Sequence, residues 1–334
     1  MNWLVTGGAG FIGRNLIASL LQEGGHAVRI LDNLTTGSRD DLAKVCRFSE
    51  TAPSDVSAFP ASGEVELVPG DILDETAVER TFANADCVVH LAANTGVGPS
   101  VKNPKWDCQA NVVGTVNCLE SARHAGVRRF VFASSGAPAG EAQPPIHEAV
   151  VPRPISPYGA SKMAGEGYCC AYHNCFAVPT VCLRFSNVYG PYSGHKSSVV
   201  ASFLSRALKG QPMEVFGDGC QTRDFLYIDD LVEAVRLSAT KEQAAGETFQ
   251  IASGEETTVL HLAKLLRDAL AAAGVPDVSV AHGEVRQGDM LRNFADTSKA
   301  QRVLGWRSVV GLEDGLARTV AWFVGQGGER RGSD

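Results

Sequence analysis

The first half of the chain alternates short apolar runs with stretches in which apolar residues recur at helical spacing. Asn2–Thr6 and residues 27–31 are such runs, and residues 11–22 between them show the 3.6-residue periodicity of a helix. Apolar strands that are each followed by a helix are typical of a parallel sheet covered on both faces. We therefore predict an α/β fold with a doubly wound parallel sheet, in which ligands bind at the carboxyl ends of the strands.

This alternation of strand and helix patterns continues as far as residue 190. Apolar runs predict further buried strands at residues 65–68, 87–91, 129–133 and 178–184. Helical periodicity predicts helices at residues 75–83, 103–125 and 156–174. Residues 37–63 are polar and weakly patterned, so we interpret them as an insertion that carries a short helix.

The alternation ends after Gly190 and Pro191. The patterns that follow predict helices at residues 198–208, 230–239, 260–273 and 312–324, with short strands such as 213–216 and 248–251 between them. They favour a smaller C-terminal α/β substrate lobe over a second full sheet. The predicted organisation is a domain at residues 1–190, a lobe at 191–324 and a tail at 325–334. The tail lacks core-forming residues, so we expect it to be frayed.

Length and charge exclude several classes of protein. A chain of 334 residues fits two domains, or one large domain with a lobe attached. Its 30 Lys and Arg against 37 Asp and Glu give a net charge of −7, which argues against binding nucleic acid or an anionic membrane. No apolar stretch reaches the roughly 18 residues of a membrane span. The N-terminus begins in a strand pattern without the basic region of a signal peptide, so we expect a cytoplasmic protein.

The nine cysteines do not form a metal-binding pattern. They are scattered along the chain, and no Cys-x2-Cys pair occurs. A structural zinc site would need four converging ligands at ligand spacing. We therefore expect no metal and interpret the cysteines as reduced, buried thiols that act as small apolar residues.

A glycine-rich loop joins the first strand to the first helix. Glycines stand at positions 7, 10 and 13 of Thr6-Gly7-Gly8-Ala9-Gly10-Phe11-Ile12-Gly13. Gly7 permits a tight turn, Gly10 lets a pyrophosphate approach the backbone, and Gly13 lets helix and strand pack closely. The helix N-terminus would then face the anion. Glycines also mark ordinary turns, but this strand–turn–helix context predicts dinucleotide binding.

Asp32 ends the second strand about 20 residues after this loop, at the position of an acid that accepts hydrogen bonds from the adenosine ribose. A 2′-phosphate there would meet like charge, so we predict NAD rather than NADP. Arg39 lies close enough in the sequence to weaken this inference. Asp71 follows the third strand, where it either hydrogen-bonds adenine or stabilises a turn.

Tyr158 and Lys162 lie one turn apart near the start of a predicted helix, and therefore on one face. An ordinary tyrosine, with a pKa of about 10, is a poor base at neutral pH. A neighbouring ammonium and the positive nicotinamide of oxidised NAD would both favour the phenolate. By itself the pair is also compatible with an exposed tyrosine and a solvated lysine. The dinucleotide loop before it, and Ser134 and Ser135 at the end of an intervening strand, favour a catalytic pair.

At this point the chain resembles the extended short-chain dehydrogenase/reductases, and within them the nucleotide-sugar epimerases, dehydratases and decarboxylases. The resemblance covers residues 1–324 and rests also on Leu91-Ala92-Ala93, on Asn111 and on residues 184–191. It implies a Rossmann-like fold, a tightly held NAD, a UDP-sugar substrate and catalysis by Ser135, Tyr158 and Lys162. It also implies a homodimer in which helices 103–125 and 156–174 form a four-helix bundle.

The motifs and the resemblance together identify the expected contacts. The cofactor contacts are Gly7, Gly10, Phe11, Ile12, Gly13, Asp32, Asn33, Asp71, Ile72, Leu91, Ala92, Ala93, Asn111, Ser134, Tyr158, Lys162 and Phe185. The substrate contacts implied by the resemblance are Ser135, Asn187, Val199, Glu214, Phe216, Arg223, Arg286 and Asp289. Arg223 and Arg286 would hold the diphosphate, because guanidinium groups bind phosphate through paired hydrogen bonds.

The two positions after Ser135 distinguish the reactions of these enzymes. The dehydratases that resemble this chain carry an Asp-Glu pair there, and the decarboxylases carry a Glu at the second position, whereas this chain has Gly136 and Ala137. Elimination would therefore lack its acid, so we predict 4-epimerisation. Tyr158 would take the proton of the 4-hydroxyl, hydride would pass to NAD, and the 4-keto sugar would rotate before hydride returns. The family usually continues Val-Tyr-Gly, whereas this chain reads Gly136-Ala137-Pro138-Ala139-Gly140, so we expect an unusual loop beside the sugar.

The identity of the sugar stays open. Lys196, in the loop after Pro191, would suit a 6-carboxylate, so we favour UDP-glucuronate/UDP-galacturonate over UDP-glucose/UDP-galactose. Alternatively, Lys196 points into solvent. Two other functions are a one-way nucleotide-sugar 4-reductase, which would need exchangeable NADPH, and a non-catalytic NAD-binding module, which typically lacks the Tyr or the Lys.

Overall fold

The structure, a computed structural model, describes residues 1–194, 198–284 and 291–331, and only the backbone from residue 326 on. The described strands are β1 (Asn2–Thr6), β2 (Ala27–Asp32), β3 (Ser49–Glu50), β4 (Val65–Pro69), β5 (Cys87–His90), β6 (Arg129–Ser135), β7 (Thr180–Phe185), β8 (Asn187–Tyr189), β9 (Met213–Phe216), β10 (Thr222–Arg223), β11 (Phe225–Tyr227), β12 (Thr248–Ile251), β13 (Thr257–Thr258) and β14 (Val280–Gly283). Eight of them form the central sheet, in the order β12-β7-β6-β5-β1-β2-β4-β3.

Helices cover both faces of this sheet, which confirms the predicted fold class. The described α-helices are α1 (Phe11–Glu23), α2 (Arg39–Ala43), α3 (Glu75–Phe82), α4 (Val97–Lys102), α5 (Pro104–Cys108), α6 (Gly114–Ala125), α7 (Pro157–Phe176), α8 (Val199–Leu208), α9 (Ile228–Thr240), α10 (Val259–Ala272), α11 (Ser298–Leu304) and α12 (Leu312–Arg331). All neighbouring strands in the central sheet are parallel.

The strand order reverses at β1. From β1 the chain proceeds outwards through β2 and β4, and then crosses back to β5, β6 and β7 on the other side. The connections on the two sides of such a reversal diverge, so they leave a crevice beyond the carboxyl ends of β1 and β5. The sheet therefore places the ends of β1, β2, β5 and β6 around one ligand site.

The two faces of the sheet build separate apolar clusters. Leu4 and Leu31 pack with residues of α3, α6 and α7, whereas Val5 and Ile30 pack with residues of α1 and α9. Successive side chains of a strand point to opposite faces, so a strand that is apolar throughout serves both clusters. This explains why the strands read as continuous apolar runs.

After residue 191 the chain builds short strand pairings of its own and also contributes to the central sheet. Short two-stranded pairings join β9 to β14 and β10 to β13. Strand β12, which we expected in the lobe, pairs with β7 and becomes the edge of the central sheet. Helix α9 likewise packs on α1. Phe249 and Ile251 on β12 are fully buried. Their burial stabilises the return of the chain to the central sheet after residue 191.

Three further predictions need correction. The helix predicted at residues 103–125 is interrupted by a π-helical turn, Gln109–Val113. The last helix ends at Arg331 instead of residue 324, so residues 325–331 are helical where we expected a frayed tail. Extending a formed helix costs less than starting one, which allows it to continue through residues of poor helix propensity. The insertion at residues 37–63 contains the expected short helix, α2, and also adds β3 to the sheet edge.

The predicted burial of the cysteines is correct for only part of them. Cys87, Cys118, Cys169 and Cys182 are buried, whereas Cys108, Cys170, Cys175 and Cys220 are exposed. Within the described ranges, no helix is both long enough and apolar enough to span a membrane.

A buried ion pair fastens the insertion to the sheet. Arg29 on β2 is fully buried, and its Nε lies 2.5 Å from Oε2 of Glu66 on β4. The same guanidinium donates to the carbonyl oxygens of Ala58 and Thr81 and lies over the ring of Phe59. One side chain thus joins two strands, α3 and the insertion.

We expect Glu66→Ala to lower the free energy of unfolding by about 3 kcal/mol, because it leaves the buried guanidinium of Arg29 without its counter-charge. Urea denaturation would measure the change. Glu50→Ala, which breaks the exposed ion pair of Glu50 with Arg39, is the matched control and should cost less than about 1 kcal/mol. Equal losses in the two variants would contradict this account.

Candidate active site

A cavity of about 660 Å³ opens at the carboxyl ends of the central strands. It is bounded by the glycine loop after β1, by the segments that follow β2, β4 and β5, and by the end of β6 and the start of α7. The following predicted cofactor contacts line it: Gly7, Gly10, Phe11, Ile12, Gly13, Asp32, Asn33, Asp71, Ile72, Leu91, Ala92, Ala93, Ser134, Tyr158, Lys162 and Phe185. Ser135 also lines this cavity.

The glycine loop has no room for side chains at two positions. A Cβ atom on Gly7, which has φ +71°, would lie 2.7 Å from the backbone nitrogen of Ala92. A Cβ on Gly13 would lie 2.5 Å from the Cα of Gly8. The loop therefore packs directly on the segment after β5 and brings the first turn of α1 to the cavity. The N–H groups of a first helical turn lack intrahelical acceptors and bind anions, so this cradle fits a pyrophosphate.

Asp32 is held in position by backbone donors. Its carboxylate accepts hydrogen bonds from the N–H groups of Ala9 at 2.9 Å and Leu34 at 2.8 Å. Burial raises the pKa of Asp32. Arg39, which had weakened the preference for NAD, forms a two-point ion pair with Glu50. Its guanidinium is thereby engaged, so the arrangement favours a ribose with free hydroxyls over a 2′-phosphate.

Asp71 stands opposite Asn33 at the same end of the cavity. It accepts a hydrogen bond from Asn33 Nδ2 at 2.8 Å and another from the N–H of Leu73 at 2.9 Å. The bond from the N–H of Leu73 stabilises a turn, which is the role that the sequence offered for Asp71 as the alternative to adenine binding. Asp71 still lines the cavity, where adenine would lie in the predicted binding mode.

Tyr158, Ser135 and Lys162 meet at the other end. Helix α7 begins at Pro157, and its cap Ser156 accepts a hydrogen bond from the N–H of Gly159 at 3.1 Å. This start directs Tyr158 towards the end of β6, and Tyr158 and Ser135 both line the cavity there. Lys162 Nζ donates to the carbonyl of Ala133 at 2.8 Å and lies 6.0 Å from the centre of the Tyr158 ring.

Burial dominates the protonation of this pair. It raises the pKa of Tyr158 to about 12, although the hydrogen bond with Ser135 acts in the opposite direction. Burial also lowers the pKa of Lys162 to about 8. The prediction that Lys162 favours the phenolate is therefore not met by the protein alone, because loss of water disfavours both charged forms. A cation in the cavity would favour the phenolate of Tyr158, and oxidised nicotinamide carries such a charge.

Asn111 does not line the cavity, contrary to its predicted role as a cofactor contact. It is buried, and its amide bonds both the N–H and the carbonyl of Asn94, at 2.7 and 3.0 Å. It also donates to Ser161 Oγ at 3.0 Å. The π-helical turn thus directs Asn111 towards the protein interior, and Asn94 lines the cavity instead.

The predicted substrate contacts are only partly described. Lys196, Arg286 and Asp289 lie outside the described residues. Asn187 Nδ2 donates to the carbonyl of Asp224 at 3.1 Å, and Glu214 forms an ion pair with Arg206. Apart from Ser135, the described members Asn187, Val199, Glu214, Phe216 and Arg223 do not line the cavity. Their roles therefore remain predictions.

Other polar residues line the cavity without having been predicted. They include Thr35, Thr36, Asn94, Thr95 and Ser186. Each of these follows the end of β2, β5 or β7, so the position of a polar residue just after a buried strand was the signal available. No group of His, Cys, Asp or Glu side chains among the described residues could hold a metal ion.

Comparison with known proteins places this site in a family. The family described as the NAD dependent epimerase/dehydratase family matches residues 3–252. The UDP-glucose 4-epimerase of Mycolicibacterium smegmatis is 37% identical over 97% of this chain and 98% of its own.

Two solved structures show the range of similar reactions. The UDP-glucuronic acid 4-epimerase of Bacillus cereus, solved with UDP-glucuronic acid and NAD, has a TM-score of 0.84 and 29% identity over 98% of this chain and 100% of its own. The dTDP-glucose 4,6-dehydratase DesIV of Streptomyces venezuelae, solved with NAD, has a TM-score of 0.86 and 33% identity over 98% of each chain. Similarity alone therefore does not choose between epimerisation and dehydration.

We expect Asp32→Asn to weaken NAD binding about 10- to 100-fold, because a charged acceptor for the ribose hydroxyls is lost. Ala9 and Leu34 donate to different oxygens of Asp32, so the amide keeps one of these two loop contacts and loses the other. Equilibrium dialysis after removal of the bound cofactor would measure the dissociation constant. Asp40→Asn, on the exposed surface of α2, is the control. Unchanged affinity in Asp32→Asn would exclude the predicted contact.

Proposed function

Because the chain belongs to the NAD-dependent epimerase/dehydratase family of enzymes, we propose that it is a UDP-sugar 4-epimerase. The proposal combines the NAD dependence of the family with the meeting of Ser135, Tyr158 and Lys162 at one end of the cavity.

The observation that carries the proposal is the lack of an acid beside Ser135. Gly136 and Ala137 occupy the two positions where the resembling dehydratases have Asp and Glu. Among the described residues that line the cavity, the only carboxylates are Asp32 and Asp71, and backbone N–H groups engage both. Removal of water from a keto sugar needs a general acid and base, so this site favours a reaction without elimination.

The space beside Ser135 also suits a sugar that turns. A Cβ atom built on Gly136 would have no neighbour within 4 Å. Exchange of the configuration at C4 requires the 4-keto sugar to present its other face. An open position beside the reacting oxygen allows that rotation, whereas a pair of acidic side chains would fill it.

The residues have separate tasks in this reaction. Tyr158 Oη takes the proton of the sugar 4-hydroxyl and returns it, and Ser135 Oγ holds the same oxygen. The Lys162 ammonium supplies positive charge next to the phenolate. The loop Gly7–Gly13 and Asp32 would hold NAD, which when bound supplies the hydride acceptor and donor.

We place UDP-glucose/UDP-galactose first among the substrates. The relative named UDP-glucose 4-epimerase is 37% identical to this chain, and a relative named UDP-glucuronate 4-epimerase, from Thermodesulfobacterium geofontis, is 32% identical over 96% of this chain and 95% of its own. The uronate pair is the second candidate, on the basis of Lys196, which lies outside the described residues.

The purified protein should convert a UDP-sugar to its 4-epimer without added cofactor, and Tyr158→Phe should lower the rate about 100- to 10,000-fold while NAD stays bound. Proton NMR of separate incubations with UDP-glucose and UDP-glucuronate would follow each sugar. Tyr172→Phe, which removes a buried hydroxyl from the same helix, is the matched control.

The products of that experiment separate the alternatives. A 4-epimer supports the proposal and identifies the sugar. A 4-keto-6-deoxy sugar would replace the epimerase by a dehydratase. Full activity of Tyr158→Phe would overturn the assigned base, and net consumption of reduced cofactor would indicate the 4-reductase.

We also propose that the protein is a homodimer formed through α4, α5 and α7. Large apolar side chains are exposed along these helices and the π-helical turn, and Val101 for example is 61% exposed. Exposed apolar groups gathered on neighbouring helices indicate an interface. The four-helix bundle predicted from helices 103–125 and 156–174 would cover those on α5, the π-helical turn and α7, and α4 packs beside these helices. The residues concerned are Val97, Val101, Trp106, Val113, Met163, Tyr168 and Phe176.

Tyr168→Glu should shift the protein from dimer to monomer, because two charges would be buried in the symmetric interface. Sedimentation equilibrium would measure the mass. Val309→Glu, at a position 71% exposed elsewhere on the surface, should leave the mass unchanged. The proposed interface would be ruled out if the wild-type protein is a monomer, or if Tyr168→Glu dimerises with the same dissociation constant as the wild type.

A further inference from the structure

Asp107 is a buried carboxylate that the proposed reaction does not use. It lies on α5, one turn before Asn111, and its side chain is inaccessible to solvent. Oδ1 accepts hydrogen bonds from Asn94 Nδ2 at 3.0 Å and Asn111 Nδ2 at 3.1 Å. Oδ2 is buried and has no hydrogen-bond partner among the described residues. Such an oxygen is costly to bury, so its presence requires an explanation.

The bonds of Asp107 lead to the catalytic helix. Asn94, one of its two donors, lines the cavity. Asn111, the other donor, bonds Ser161 Oγ, and Ser161 directly precedes Lys162 on α7. Helix α5 itself packs against α7. Asp107 therefore supports both the cavity wall and the segment that carries Lys162.

The other charged and titratable groups around Lys162 are already neutral or paired. On α7, Glu166 forms a two-point ion pair with Arg184 of β7, at 2.8 and 2.7 Å. On β5, His90 is hydrogen-bonded through both ring nitrogens to Thr6 and Thr115, and burial lowers its pKa to about 3. Cys169 of α7 and Tyr158 are neutral, since burial raises the pKa of both. Asp107, which no described ion pair engages, is joined to the segment of Lys162 through Asn111 and Ser161.

Asp107 raises the pKa of both Lys162 and Tyr158. Burial lowers the pKa of Lys162, and Asp107 is the strongest of the influences that oppose this shift. For Tyr158, burial raises the pKa and Asp107 raises it further. A negative charge stabilises the ammonium and disfavours the phenolate, so both titrations move to higher pH in its presence.

We propose that Asp107 is a positioning residue that keeps the buried Lys162 charged, through its carboxylate and its bonds to Asn94 and Asn111, and so determines the pH range in which the Tyr158–Lys162 pair works. The proposal rests on the catalytic role given to this pair under the proposed function. It assigns to Asp107 a role in protonation that does not require contact with the substrate.

Asp107→Asn tests the charge while keeping the shape of the side chain. The amide retains an oxygen for Asn94 and Asn111 and loses the negative charge. Ultraviolet difference titration of the holoenzyme, with the Tyr158→Phe variant of each protein subtracted, measures the ionisation of Tyr158. We expect its midpoint to fall by about one pH unit in Asp107→Asn. Asp107→Glu, which keeps the charge, should leave the midpoint close to that of the wild type.

The matched control is Asp230→Asn. Asp230 is also a buried aspartate, but its carboxylate bonds Ser308 and the N–H groups of Val309 and Val310, away from the cavity. This variant should leave the Tyr158 midpoint unchanged. If Asp107→Asn does not fold, Asp107→Ser removes the same charge and takes its place in the measurement.

An unchanged Tyr158 midpoint in the uncharged Asp107 variant would overturn the proposal. The titration needs no sugar, so it gives its answer even if neither UDP-sugar is converted, an outcome that would count against the proposed function alone. Where a sugar is converted, both limbs of the kcat–pH profile should shift to lower pH by the same amount as the titration. A lower kcat with both limbs in place would reduce Asp107 to a structural role.

Discussion

The site depends on keeping a lysine ammonium charged in a place from which water is excluded. Lys162 is almost fully buried against the end of β6, where the carbonyl of Ala133 accepts one of its protons. Burial alone would neutralise such a group. The negative charges nearby must therefore be arranged so that one stays unpaired while the others are neutralised. Glu166 is paired with Arg184, and our proposal gives the other role to Asp107, whose Oδ1 accepts a hydrogen bond from Asn111.

The order of the strands makes this arrangement possible. The reversal at β1 brings the ends of β1, β5 and β6 side by side, and α7 packs on β6 and β7. The glycine loop can then pack on Ala92 with no side chain between, so the cradle for the phosphates and the catalytic tyrosine belong to one cavity. A dinucleotide is long enough to connect both ends of such a crevice. Fold and chemistry are thus linked through the positions of a few strand ends.

Local patterns in the sequence predicted the fold class and the first half of the site. The glycines of the loop, Asp32 and the Tyr158–Lys162 spacing are short-range features, and the structure brings them to one cavity. Long-range features escaped prediction. The return of β12 to the central sheet depends on pairing with a strand more than 60 residues earlier. The inward direction of Asn111 depends on a π-helical turn, which apolar periodicity does not reveal. The role proposed for Asp107 is another feature that the sequence did not predict, because an aspartate within a helix pattern is interpreted as a surface residue until its neighbours are known.

The residues next to Ser135 show the opposite case, in which sequence is more informative than geometry. The first chemical step is shared by epimerases and dehydratases, so the fold and the Tyr158–Lys162 pair do not distinguish them. What distinguishes them is whether an acid stands beside the keto sugar. A Cβ atom on Gly136 would have no neighbour within 4 Å. Under the proposed function, that open position would withhold the catalyst of elimination and give the sugar room to turn, so one short loop would select between two outcomes of the same oxidised sugar.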